Sequence, residues 1–130
     1  MDSEEFLLGV NYWPRKKAMT WWNHFDVKEV ENDFQTIQDL GLSLVRIFLL
    51  WESFQPESPD RVAAKAVEHV CTVANAAAKY GLKLDVTFFT GHMSGPNWCP
   101  WWMRCYNAGD NAVCGANPHG LEVVSFLEEV

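Results

Sequence analysis

The stretch GLSLVRIFLL at residues 41–50 returns 40 residues later as GLKLDVTFFT at 81–90, with identity at Gly41/Gly81, Leu42/Leu82, Leu44/Leu84 and Phe48/Phe88. Each copy follows a segment whose apolar residues recur every three or four positions, and each begins at the glycine that ends that segment. Helix, glycine and apolar strand in tandem make a repeated βα unit. Strands that are mostly apolar, rather than alternating, are covered on both faces and run parallel, joined by right-handed crossovers. Two α/β architectures satisfy this: a doubly wound sheet, or a (β/α)8 barrel of the TIM type.

The elements follow from the pattern. Phe6 to Tyr12 is a short apolar run that ends at Asn11-Tyr12-Trp13-Pro14, where Pro14 stops any ladder, so a first strand is predicted over about 6–12. Asp26-Val27-Lys28-Glu29 has the form of a capping box, and Val27, Val30, Phe34, Ile37 and Leu40 share one face of a helix over about 27–40. A second strand is predicted over 42–50. Ser58-Pro59-Asp60 then opens a second helix over about 59–80, with Ser58 as N-cap, and its small-residue face includes Cys71, Ala74, Ala77 and Ala78. A third strand covers 82–89. Gly91 to about Gly120 is a long, proline-containing loop, and 121–130 resumes helical spacing. The pattern amounts to three βα units, which a doubly wound sheet and a barrel accommodate equally.

Charge and cysteine usage narrow the function classes. The net charge is −7, and the one basic cluster, Arg15-Lys16-Lys17, is too short for a nucleic-acid footprint. MDSEEF lacks the basic and apolar regions of a secretory signal, and no apolar run approaches membrane-spanning length, so a soluble, cytoplasmic protein is expected. In that compartment Cys71, Cys99, Cys105 and Cys114 are expected to be reduced. Cys99, Cys105, Cys114 and His119 could supply four zinc ligands, but their spacing lacks the close CxxC pairs of structural sites; neither metal nor cofactor is expected. Nothing in the sequence sets an oligomeric state.

The tryptophans carry the strongest functional signal. There are seven, Trp13, Trp21, Trp22, Trp51, Trp98, Trp101 and Trp102, and all follow the C-terminal ends of predicted strands. His24, His92 and His119 share that side, where the loops of α/β proteins bind ligands. Flat rings interspersed with Asn, His, Arg and Glu suit a carbohydrate partner, whose C–H faces stack while its hydroxyls take polar contacts.

Three segments, GVNYWP at 9–14, LVRIFLLWESFQPE at 44–57 and TFFTGHMSGPNWCPWW at 87–102, resemble the first three strand ends of glycoside hydrolase family 5 and related clan A enzymes. The resemblance implies a (β/α)8 barrel that hydrolyses β-linked glycosides or oligosaccharides with retention. It implies that Arg46, a charge set in an apolar strand, points into the barrel and orients the nucleophilic glutamate. It makes His92 a sugar contact, and Asn11, Tyr12, Trp13, Trp51, Trp98 and Trp102 lining residues. The family takes its acid/base from an Asn-Glu dipeptide after the fourth strand and its nucleophile from the seventh; no Asn-Glu occurs here. Glu52 and Glu57 come from one loop and do not make the pair that must flank a scissile bond at roughly 5 to 5.5 Å. A barrel needs about 250 residues, so the resemblance implies that residues 1–130 are the N-terminal part of a single catalytic barrel, its first three βα units, expected to lack both catalytic carboxylates and to be inactive alone. The other reading of the same Trp-rich face is a non-catalytic carbohydrate-binding module.

Overall fold

The computed structural model describes residues 6–93 and 98–102. Most of the last loop and the predicted helix at 121–130 lie outside the described residues, as do Cys105, Cys114 and His119. Three strands, β1 (Gly9–Asn11), β2 (Leu44–Leu50) and β3 (Lys83–Thr90), form one parallel sheet in the order β1-β2-β3. Asn11 pairs with Arg46 and Arg46 with Asp85, while Phe48 pairs with Thr87. This is the α/β, parallel-strand beginning that the 40-residue repeat predicts.

β1 is shorter than its apolar run. Its first paired residue, Gly9, lies so close to β2 that a Cβ there would meet the Leu44 carbonyl oxygen at 2.5 Å and the Leu44 Cβ at 2.7 Å. Only glycine fits.

The repeat extends to the hydrogen bonds that end the helices. After α1 (Val27–Asp39), Gly41 N donates to Gln38 O and Leu42 N to Ile37 O; after α3 (Ala64–Lys79), Gly81 N donates to Ala78 O and Leu82 N to Ala77 O. Gly41 and Gly81 both take positive φ, +80° and +65°, which L side chains adopt rarely. Helix stop and strand start are thus one local device, used twice. At the other end of α1, Asp26 is the N-cap, as expected, but it accepts from the Lys28 backbone N–H at 3.0 Å and not from that of Glu29, where a capping box places the bond. Glu29 does not complete the box; its carboxylate pairs with Lys17.

Two segments differ from the sequence expectation. The second long helix starts at Ala64, not at Pro59. Trp51–Phe54 forms the short helix α2 directly after β2, and Ser58 to Arg61 folds back as an isolated bridge, with Ala63 N on Phe54 O at 2.8 Å. Ser, Pro and Asp favour turns as strongly as helix starts, and here the buried contacts of α2 decide for the turn. Second, Ala18–His24 forms a 3₁₀ helix that carries Trp21 and Trp22, where a loop was expected. Both rings are buried and contribute to the core, with Trp22 Nε1 on Phe48 O at 2.7 Å.

The core lies between the sheet and the helices. Val45, Ile47 and Leu49 of β2 are fully buried, with Val30 and Phe34 of α1 and Val73, Ala76 and Ala77 of α3 in the same cluster. Lys79 of α3 reaches Glu31 of α1 at 3.0 Å, and Gln38 of α1 donates to Tyr80 O at 2.8 Å, tying the helices together at their exposed rim. No helix among the described residues is long and apolar enough to cross a membrane. Cys71 is a free thiol, whereas Cys99 is disulfide-bonded, which departs from the expectation of reduced cysteines.

Candidate functional site

Alternation along the strands sorts the predicted site residues. On β2, Val45, Ile47 and Leu49 face the helices, so Arg46 and Phe48 occupy the opposite face. Arg46 is exposed there; its Nε donates to Thr87 Oγ1 at 2.7 Å, and its guanidinium carbon lies 4.9 Å from the centre of the Phe48 ring. Trp13, 39% exposed, packs its ring 5.9 Å from Phe48. Asn11, also exposed, pairs in register with Arg46. Asn11, Trp13, Arg46, Asp85 and Thr87 therefore share the face turned away from α1 and α3, over the buried ring of Phe48.

Charge on this surface is unevenly matched. Asp85 is the register neighbour of Arg46 and exposed, but no ion pair among the described residues involves Arg46. The guanidinium is held by a neutral hydroxyl and an aromatic face, and among the described residues its terminal nitrogens meet no acceptor.

Tyr12 differs from the expectation that it lines the site. It is 5% exposed, its hydroxyl donates to Asp33 Oδ2 of α1 at 2.9 Å, and its ring meets Phe34 edge-on at 5.2 Å. It shares the helix-facing side with Val10, one position out of phase with Asn11 and Trp13. Burial, with the Asp33 carboxylate beside it, pushes its hydroxyl above the ordinary phenol pKa.

At the C-terminal end of the sheet two of the expected lining residues, Trp51 and Trp102, are buried in a wall built around Gln55, which the sequence did not single out. Gln55 is fully buried: its Oε1 accepts from Trp51 Nε1 at 2.9 Å, its Nε2 donates to Pro59 O at 2.8 Å, and its backbone carbonyl accepts from Trp102 Nε1 at 2.8 Å. The Trp51 and Trp102 rings meet edge to face at 5.8 Å, both almost completely buried. Neighbouring Trp101 is 63% exposed. His92 is exposed just after β3, in a loop closed by Trp98 N on Gly91 O at 2.7 Å, and half-buried Trp98 packs against the core. A buried glutamine bridging two tryptophans has no sequence periodicity to announce it; the proximity of Trp51 to Gln55, one helical turn apart, was the available signal.

Among the described residues no group of three or more His, Cys, Asp or Glu is arranged to hold a metal ion. The chemistry on offer is that of hydrogen-bond donors, a guanidinium outside any ion pair of the described residues, and flat rings.

No protein-family model matches the sequence, and no curated protein matches it. Solved structures do. A Streptomyces cattleya enzyme of glycoside hydrolase family 5, subfamily 18, in complex with Manβ1-4GlcNAc, aligns at 30% identity and a TM-score of 0.74, over 88% of this chain and 27% of that one. The corresponding Bifidobacterium longum subsp. longum enzyme, also in complex with Manβ1-4GlcNAc, aligns at 28% identity and a TM-score of 0.78, over 95% of this chain and 28% of that one. An exo-beta-1,4-mannosidase from Opitutaceae bacterium strain TAV5 aligns at 26% identity and a TM-score of 0.75, over 93% of this chain and 20% of that one. The chain thus spans between a fifth and somewhat over a quarter of the length of these solved structures. Parallel strands joined by helices, an arginine on the face away from those helices and these likenesses agree: the chain is a glycoside hydrolase family 5-like segment, whose described residues form three parallel strands with a helical crossover between each neighbouring pair.

Proposed function

We propose that this chain supplies the first sugar-facing part of a retaining glycoside hydrolase acting on β-linked mannosides. The observation that carries the proposal is Arg46: an exposed guanidinium at the centre of a strand, with no ion pair among the described residues, on the face that a barrel closes around. In this role Arg46 holds a nucleophilic glutamate ionised and aimed. An opposite charge at contact distance lowers a carboxyl pKa, and bidentate geometry fixes its direction. His92, Asn11 and Trp13 contact the sugar, with Trp98 and the wall of Trp51 and Trp102 shaping the rim. The mannoside preference rests on the Manβ1-4GlcNAc bound to two of the solved enzymes and on the mannosidase named for a third.

Both catalytic carboxylates then come from outside residues 1–130, and the chain by itself has no turnover. An arginine and a histidine that orient and bind cannot replace proton donation and nucleophilic attack.

The test compares the purified chain with the same chain joined to the remaining five βα units of the Bifidobacterium longum enzyme, on an aryl β-mannoside. Turnover is expected only from the joined barrel, and Arg46→Ala in it should lower kcat by about 10²-fold or more, as losing a preorganised charge contact does. Turnover by the isolated chain, or an undiminished kcat in Arg46→Ala, would overturn the proposal.

A further inference from the structure

We infer that Thr87 is a positioning residue for Arg46, setting the rotation of the guanidinium so that its two terminal nitrogens, not Nε, face the nucleophile. The inference rests on the role of Arg46 proposed above and concerns what aims it. The Nε–Thr87 Oγ1 bond, at 2.7 Å, engages the donor nearest the side-chain stem. A guanidinium is planar, so fixing Nε and laying the group against the Phe48 ring at 4.9 Å removes most of its freedom to turn. The fork of Nη1 and Nη2 is left pointing onward.

The chemistry of the anchor matters as much as its place. Thr87 is the register partner of Phe48, two residues beyond Asp85, the register partner of Arg46. A carboxylate anchor would fix Arg46 equally well but neutralise it. A hydroxyl accepts the bond and leaves the full positive charge for the carboxylate that needs it. Asp85, within one strand spacing and itself exposed, is the competing acceptor that the Thr87 bond keeps Arg46 from choosing.

The joined barrel described above serves for the test, with kcat, KM and the pH dependence of kcat/KM read for each variant. Thr87→Val keeps the shape and removes the acceptor. It should lower kcat about tenfold while KM changes less than about twofold, the pattern of an interaction made in the transition state. The acid limb of kcat/KM should move to higher pH, because a carboxylate less well served by Arg46 holds its proton more tightly. Thr87→Ser should restore both. Adding Asp85→Asn to Thr87→Val should recover part of kcat by removing the competing acceptor. Should Thr87→Val fold poorly, Thr87→Ala at matched thermal stability reads the same quantities. An unchanged kcat and acid limb in Thr87→Val, beside a large loss in Arg46→Ala, overturns this inference alone; a fall in kcat with the acid limb unmoved and no rescue by Ser overturns it as well. An undiminished kcat in Arg46→Ala overturns the reading beneath it.

Discussion

The indole N–H of Trp102 donates to the backbone carbonyl of Gln55 at 2.8 Å, fastening the segment after β3 onto the segment after β2 across a separation of 47 residues. The side-chain amide of the same residue binds Trp51 and Pro59, so Gln55 ties the two segments through its backbone and the turn after β2 through its side chain. Gln55→Leu leaves Trp51 Nε1 and Pro59 O without partners. It should cost about 2 to 4 kcal/mol, each orphaned buried group contributing about 1 to 3. Denaturant unfolding followed by tryptophan fluorescence measures this, and a loss below about 1 kcal/mol would show that water replaces the amide.

Trp13 and Trp51 should respond oppositely to truncation. Trp51 is 1% exposed, and Trp51→Ala should destabilise the fold by about 3 to 5 kcal/mol. Trp13 is 39% exposed. In the joined barrel, Trp13→Ala should leave the melting temperature within a few degrees while raising KM for a β-mannoside several-fold. Equal effects of the two substitutions on stability would contradict the division between rim and wall.

Gly9→Ala tests the closest approach in the sheet. The added methyl would sit 2.5 Å from the Leu44 carbonyl oxygen, and backbone cannot yield as a side-chain tip can. A loss of about 1 to 3 kcal/mol is expected, the usual range for overpacking, with faster hydrogen exchange at the Ser43 and Tyr12 amides that bind across β1 and β2. Unaltered stability would mean that β1 shifts without cost.

His69 should make stability pH-dependent. Its ring stacks on Phe25 at 4.2 Å, and its Nδ1 is buried without a partner among the described residues. Burial, with Lys65 nearby, lowers its pKa below the ordinary 6.5, against weaker opposing effects of Glu68 and the Trp22 backbone. A lowered histidine pKa means that the unfolded chain binds the proton first. The contribution is therefore complete above 6.5 and lost as pH falls from there through the folded-state value. His69→Phe keeps a ring on Phe25 and should flatten that part of the melting-temperature profile relative to the unsubstituted chain. Identical slopes for the two proteins below pH 6.5 would rule out His69 as the group responsible.

The parallel βα order was legible because it rests on periodicity, on apolar runs and glycine stops, whereas the direction of Arg46 came only from the family resemblance, since a mostly apolar strand gives no alternation from which to read a face. Tyr12 was misplaced because three paired residues are too few for alternation to be read, and only its contact with Asp33 shows its side. Ser58-Pro59-Asp60 serves turns and helix starts alike, so no local rule could separate them. Thr87 meets Arg46 across 41 residues, and the Gln55 carbonyl meets Trp102 across 47, distances at which sequence pattern carries no phase.

The sheet order β1-β2-β3 repeats the order of the chain, and the helix stop that begins β2 is closed by bonds spanning only three to five residues, as is the one that begins β3. Each strand can therefore dock on the one made just before it without waiting for a distant segment. During synthesis this favours growth outward from β1 and β2, with β3 as the live edge at every moment until a further strand covers it. The hazard of such a scheme falls at pauses in translation. A ribosome that stalls once β3 has cleared the exit tunnel would present that edge, with the guanidinium of Arg46 one strand behind it, to whatever extended chain is near.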